Sequence, residues 1–228
     1  SLKGQSLRYA EFGAALERFA AGVLALGLGR RERIAVYLPK QPETVIAMFG
    51  SARAGCAFVP VNPLLKPLQV GHILRDCNVR MLITSPERAA TLQEELRACP
   101  DLRHLVLTGA GDAAALPAIT ATRWDELLAN GGPAVGHRVI DADMVSIFYT
   151  SGSTGKPKGV VLSHKNMVTG AHSVAQYLGN TADDRLLAVL PFSFDYGFSQ
   201  LSTAFHVGAS VVLMDYLFPK DVIGMVAK

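Results

Sequence analysis

Short apolar runs alternate with amphipathic stretches along most of this chain, and that alternation limits the fold more than any other feature. "RIAVYLP" reads as a buried strand and "PETVIAMFGSARAG" as a helix, with Pro42 in its first turn and Gly55 at its end. "CAFVPVNP" is a short strand, "PLQVGHILRDCN" a helix, "VRMLITS" a strand, "PERAATLQEELRAC" a helix and "RHLVLTG" a strand. Ahead of them Phe12, Leu16, Phe19, Val23 and Leu26 recur at steps of four and three, one face of a helix that Gly27 and Gly29 end. Strands separated by helices at this spacing build a parallel sheet, so the expected fold class is α/β with helices flanking parallel-rich sheets.

Between 109 and 136 the composition turns to Ala, Gly, Thr and Pro, with one short helical piece around 124–128. This reads as a surface excursion between a β/α block at 1–108 and a second at 137–228. The second block opens with "MVSIFYT", a run typical of a strand buried on both faces. "GVVLSH" follows as another apolar strand, and Ser163 is placed to cap a helix over 164–177. "RLLAVLP", "YGFSQLSTAFHVG" and "ASVVLMD" continue as strand, helix and strand. "PKDVIGMVAK" starts a further helix with Pro219 in its first turn, and no internal repeat of fixed period is visible. The chain opens on Ser1 and runs out inside that helix, so the expectation is a piece of a longer protein.

Composition narrows the function classes. Half of the residues are hydrophobic and 18% are charged, as in a globular chain. The net charge of +3 comes from mixed signs with no run of Lys or Arg, which argues against nucleic acid and against a membrane surface. No apolar segment is long enough to span a bilayer; "AAGVLALGLG" stops at Arg30. Cys56, Cys77 and Cys99 form no CxxC pair and no histidine joins them at metal-ligand spacing. They read as reduced thiols of a cytoplasmic protein, and no metal site is expected from them.

The densest chemistry lies in "YTSGSTGKPKGVVLSH", between the two apolar runs of the second block. Glycine lets backbone approach a ligand closely, and successive backbone N–H groups can then form a concave anion site. Thr150, Ser151, Ser153 and Thr154 add donors without bulk, and Lys156 and Lys158 add point charges suited to phosphate oxygens. Together these devices favour a nucleotide triphosphate. A Walker A loop does not fit: Pro157 follows Gly155-Lys156 where Ser or Thr is needed, and Thr150 stands where the first glycine belongs. No G-x-G-x-x-G fits either.

The same segment resembles the phosphate-binding signature of the acyl- and aminoacyl-adenylate-forming enzymes: AMP-forming acyl-CoA ligases, peptide-synthetase adenylation domains and luciferases. The likeness runs along all of 149–164, and other segments agree in order. "LRYAEFGAALERFAAGVLALGL" is similar to the family's early helix, with Arg8 where Thr or Ser often caps it. "GCAFVPVNP", "DADMVSIFYTSG", "LPFSFDYG" and "GASVVL" fall where the family has a strand behind a small residue, the strand entering the loop, the substrate-side turn and the strand after it. The resemblance implies an incomplete large N-terminal adenylation domain over 1–228, without the C-terminal domain.

It also implies a reaction. A carboxylate attacks the α-phosphorus of ATP to give an acyl-adenylate and pyrophosphate, with Mg2+, and a thiol of coenzyme A or a carrier-protein pantetheine then takes the acyl group. Thr150, Ser151, Gly152, Ser153, Thr154, Gly155, Lys156 and Lys158 would hold the β- and γ-phosphates, with Lys156 and Thr154 closest to the chemistry. The family's Tyr-Gly-x-Thr-Glu segment, ribose-binding Asp and C-terminal lysine are not found before Lys228, so the chain alone is expected to be inactive. With part of the large domain missing, buried apolar surface would be uncovered and the chain would self-associate.

Three residues concern the acid. Phe194 falls where relatives carry the His or aromatic bordering the acyl entrance, or it is a core phenylalanine. Asp195 stands where amino-acid-adenylating relatives grip the substrate ammonium in a Phe-Asp-x-Ser pattern, but Gly197 replaces that Ser, and a helix cap is the favoured alternative. His164 begins a helix from which it could approach the loop, whereas His172 reads as a surface or packing residue and Lys165 as part of a solvated face. A fatty or other hydrophobic acyl-CoA ligase leads, ahead of amino-acid adenylation for a carrier protein. The competing class is a module that binds a polyphosphate or a partner without chemistry.

Overall fold

Residues 33–37 lie at the heart of the sheet that organises the molecule, and their burial shows why both of its faces are covered. In the computed structural model, which describes residues 6–112, 115–130, 136–150, 157–216 and 218–226, this strand is β1 (Arg33–Tyr37). Ile34 and Val36 point into one apolar cluster, Ala35 and Tyr37 into another. Six more strands join it: β2 (Ala57–Pro60), β3 (Val79–Thr84), β4 (His104–Leu107), β5 (Thr120–Arg123), β6 (Met144–Thr150) and β7 (Lys158–Ser163). The order across the sheet is β5-β4-β3-β1-β2-β6-β7, parallel except for β7, which runs antiparallel to β6. A second sheet pairs β8 (Arg185–Ala188) and β9 (Ser210–Leu213) in parallel.

The helices divide between the faces. On one side α1 (Tyr9–Ala25), α2 (Pro42–Ala54), α6 (Trp124–Ala129) and α8 (Asp195–Val207) supply Phe19, Met48, Trp124 and Phe198 to the first cluster. On the other, α3 (Pro67–Asp76), α4 (Pro86–Thr91) and α5 (Gln93–Arg97) supply Ile73, Ala89 and Leu96 to the second. Phe198 stacks on Phe58 at 5.3 Å and meets Phe148 edge-on at 5.5 Å, which keys α8 onto β2 and β6. The remaining helices are α7 (His164–Leu178) and α9 (Pro219–Val226). Ser163 caps α7 by accepting from the Asn166 amide at 3.2 Å, as its position predicts. At α1 the Arg8 amide instead donates to Glu11 Oε2 at 2.7 Å, so the carboxylate three residues on satisfies the cap residue's own amide, the half of a capping box that needs no Ser or Thr.

Three expectations need correcting. The run "PERAATLQEELRAC" is two helices, because Leu92 turns fully inward and its amide tightens onto Ala89 O at 3.1 Å. The segment 109–136 does more than lie over the surface: it contributes edge strand β5 and sinks Trp124 and Leu127 into the core. The β5 residues "TATR" carry no apolar signal because an edge strand of this kind is half solvated. Finally β7 is not a buried strand. It forms the other edge, with Val160 45% and Val161 59% exposed. Its antiparallel pairing to β6 leaves the sheet parallel-rich, as expected.

All three cysteines are buried free thiols. Burial, with Glu32 nearby, pushes Cys56 up to about 12, and burial pushes Cys77 up to about 11, so both stay protonated and unreactive at neutral pH. Among the described residues no helix is long and apolar enough to cross a membrane.

Candidate functional site

Parallel strands bring their carboxyl ends to one edge of a sheet, and ligands of open α/β sheets bind along that edge. Strand β6 ends there at Thr150, and β7 starts back from Lys158, directly paired to it. Both side chains are exposed. The pairing therefore sets the two ends of the polar segment side by side at the carboxyl edge. Ser151, Gly152, Ser153, Thr154, Gly155 and Lys156 lie outside the described residues.

The hairpin's base is held from helix α3. The Tyr149 hydroxyl donates to Asp76 Oδ2 at 2.6 Å, and His72 Nε2 meets the Pro157 carbonyl at 3.2 Å. Burial and the neighbouring Asp76 carboxylate hold the Tyr149 hydroxyl protonated far above its ordinary range. Neither His72 nor Asp76 has a sequence signal that ties it to the loop, because the contact joins elements far apart in the chain. Tyr149 stands inside the quoted motif, yet its strand position alone says only that it alternates between faces.

The turn at residues 190–194 follows β8, and Lys40, just beyond β1, reaches the chain at its start. That side chain, 8% exposed, donates to Val189 O at 2.5 Å and Met214 O at 2.7 Å, and lies 3.5 Å from Asp215. Burial lowers its pKa against the pull of Asp215. Lys40 follows β1, and β6 lies two strands away from β1 in the same sheet.

Within the turn, Phe194 is 47% exposed, which removes the reading of a core phenylalanine. Asp195 does not cap α8: Phe194 occupies the cap position, no side-chain cap bond forms, and Asp195 is the first helical residue with its carboxylate in solvent. There it favours the positive end of the helix. Gly197 has a packing reason. A Cβ at this position would stand 1.9 Å from the Pro191 carbonyl oxygen, so the Ser of the amino-acid-binding pattern has no room.

His164 is at the wrong end of the hairpin. Ser163 pairs with Met144, and the His164 amide donates to Asp143 O at 3.0 Å, so the ring lies about 20 Å from Thr150, six strand steps away. Its Nε2 is buried without a partner among the described residues, and burial lowers its pKa despite Asp143 and Asp141. Asp143 itself is 1% exposed and ion-paired with Arg30 and with Arg31, while its Oδ2 accepts from the Ile140 amide at 2.8 Å. This cluster anchors the start of β6. His172 is exposed and stacks on His206 at 5.4 Å, and Lys165 is exposed.

A cavity of about 500 Å³ opens between the starts of α1 and α2 and the junction of α8 with β9. Leu7, Phe12, Phe205 and Leu213 line it, and none of the candidate site residues among the described residues does. Among the described residues no group of three or more His, Cys, Asp or Glu is placed to hold a metal ion.

The chain is similar to several known proteins. The chain is 33% identical over 223 residues to an L-proline--[L-prolyl-carrier protein] ligase of Streptomyces coelicolor, covering 95% of this chain and 41% of that one. It is 30% identical over 225 residues to a crotonobetaine/carnitine--CoA ligase of Escherichia coli, covering 96% of this chain and 43% of the relative. The anthranilate CoA ligase AuaEII, solved with anthranoyl-AMP, superposes with a TM-score of 0.81 at 26% identity, over 90% of this chain and 39% of that one. The chain thus spans about two fifths of the length of the proteins it matches. The family model described as "AMP-binding enzyme" matches residues 2–228, and the chain belongs to that family.

Proposed function

We propose that this chain is the part of an AMP-forming ligase that grips the pyrophosphate end of ATP while a carboxylic acid is activated. The observation that carries the reading is the Thr150–Lys158 pair, which sets both ends of a glycine-, hydroxyl- and lysine-rich segment at the carboxyl edge of a parallel sheet in a chain of the AMP-binding family. In the reaction a carboxylate oxygen bonds to the α-phosphorus as the bond to the bridging oxygen breaks, and pyrophosphate leaves with that electron pair. Charge grows on the departing group, where backbone N–H groups and lysines are of most use. Thr150, Ser151, Gly152, Ser153, Thr154, Gly155, Lys156 and Lys158 take the β- and γ-phosphates in this reading, with Lys156 and Thr154 nearest the breaking bond. Magnesium, held mainly by phosphate oxygens and water, would offset charge on the leaving group.

The acyl group then passes to a thiol. Relatives of both kinds, a carrier-protein ligase and a CoA ligase, support coenzyme A and a pantetheine carrier alike. For the acid, the solvent-facing Phe194 and the lack of room at Gly197 favour a hydrophobic carboxylate over an α-amino acid. Carboxylate-dependent exchange of labelled pyrophosphate into ATP by the full-length enzyme tests the proposal. Lys156→Ala is expected to lower exchange at least about tenfold, the worth of one charge-assisted contact to the leaving group. Unchanged exchange would remove the lysine from the mechanism, and strict dependence on an α-amino group would overturn the substrate preference.

A further inference from the structure

Two polar side chains one turn apart on α3, His72 and Asp76, both reach the β6–β7 hairpin. Asp76 accepts from the Tyr149 hydroxyl at 2.6 Å, on the strand that enters the polar segment. His72 meets the carbonyl of Pro157, on the side that leaves it, at 3.2 Å. A carbonyl only accepts, so Nε2 donates and carries the proton. One helix therefore holds residues on both sides of 151–156.

Two further observations show that this tether is built rather than incidental. Val70, Ile73 and Leu74 of α3 share an apolar cluster with Ile147 of β6, which seats the helix on this face of the sheet. Tyr149 also pairs in register with Gly159, and a Cβ there would come 3.2 Å from Tyr149 Cζ and 2.7 Å from Ile147 Cγ2. The phenol ring lies against bare backbone, and a side chain at 159 would displace it from Asp76.

We propose that His72, Asp76 and Tyr149 are positioning residues for the anion-binding segment, holding its two ends at the spacing the phosphates require. What the segment binds rests on the function proposed above; the tether itself is a property of this chain and is tested separately. In the full-length enzyme, Tyr149→Phe is expected to raise the KM for ATP about tenfold, what one charge-assisted hydrogen bond is worth, and His72→Leu, which loses a bond to the neutral Pro157 carbonyl, about threefold. The KM for the carboxylate stays unchanged, and His72→Gln, which keeps a donor near Nε2, recovers most of the loss.

Tryptic cleavage after Lys158, followed by mass spectrometry of the fragment that ends there, reads the tether without nucleotide. Tyr149→Phe and His72→Leu are expected to speed that cleavage five- to tenfold at an unchanged melting temperature. Equal cleavage rates in wild type and both variants would overturn the tether, whatever the kinetics. Faster cleavage with an unaltered KM for ATP would overturn the positioning role. Wild-type enzyme without any pyrophosphate exchange would refute the ATP reading alone, leaving the cleavage result to judge the tether.

Discussion

Asp143 shows how a single side chain can hold the approach to the site. Its carboxylate, 1% exposed, is paired with Arg30 and Arg31 and accepts from the Ile140 amide, and these bonds hold its pKa well below the usual carboxylate range. A carboxyl with a depressed folded-state pKa contributes stability that is complete above its unfolded value, about 4, and is lost as pH falls toward the folded value. Asp143→Asn is therefore expected to melt below wild type at pH 7, with the gap closing as pH drops from about 4 into the acid range. Melting curves across that range decide it; a gap of constant size down to pH 2.5 would show that the carboxylate's charge is not what matters. None of this was legible in the sequence. "DADMVSIFYTSG" places Asp143 before a strand, but its arginines lie more than a hundred positions upstream and meet it only because β1 and β6 share a sheet.

At the scale of elements, the sequence was read best where period and burial agree. The buried strands β1, β2, β3 and β6 and the helices α1, α2, α7 and α8 follow from apolar periodicity and from Pro and Gly at their ends. It was read worst at the edges of the sheet. "TATR" gave no sign of β5, and "GVVLSH" looked buried although β7 has an open face. An edge strand obeys the pairing of its neighbour rather than a pattern of its own. The turn at 190–194 was legible in part. Phe194 faces solvent, whereas Asp195, expected to cap, lies one residue past the position that caps. Gly197, noted only as a departure from a pattern, proves to be a close approach of α8 to the Pro191 carbonyl. Gly197→Ser is expected to cost about 1–3 kcal/mol, as overpacking against backbone does. Urea unfolding measures it, and a variant as stable as wild type would show that the turn can yield.

For the molecule as a whole, the question is what joins the two sheets at the edge where the chemistry is proposed. Phe198 does so through packing against Phe58 and Phe148, and Lys40 does so through hydrogen bonds from the end of β1 to carbonyls beyond β8 and β9. Lys40→Met keeps the stem and removes the donors, leaving buried carbonyls unsatisfied. The expected loss is about 1–3 kcal/mol on urea unfolding, and a neutral result would mean that packing alone carries the junction. The central claim is that the carboxyl-edge hairpin receives the phosphates of ATP during activation of a carboxylic acid. A crystal structure of the full-length enzyme with ATP and magnesium tests it most directly. The account predicts β- and γ-phosphate oxygens within hydrogen-bonding distance of residues 150–158; phosphates bound elsewhere, with that segment making no contact to them, would contradict it.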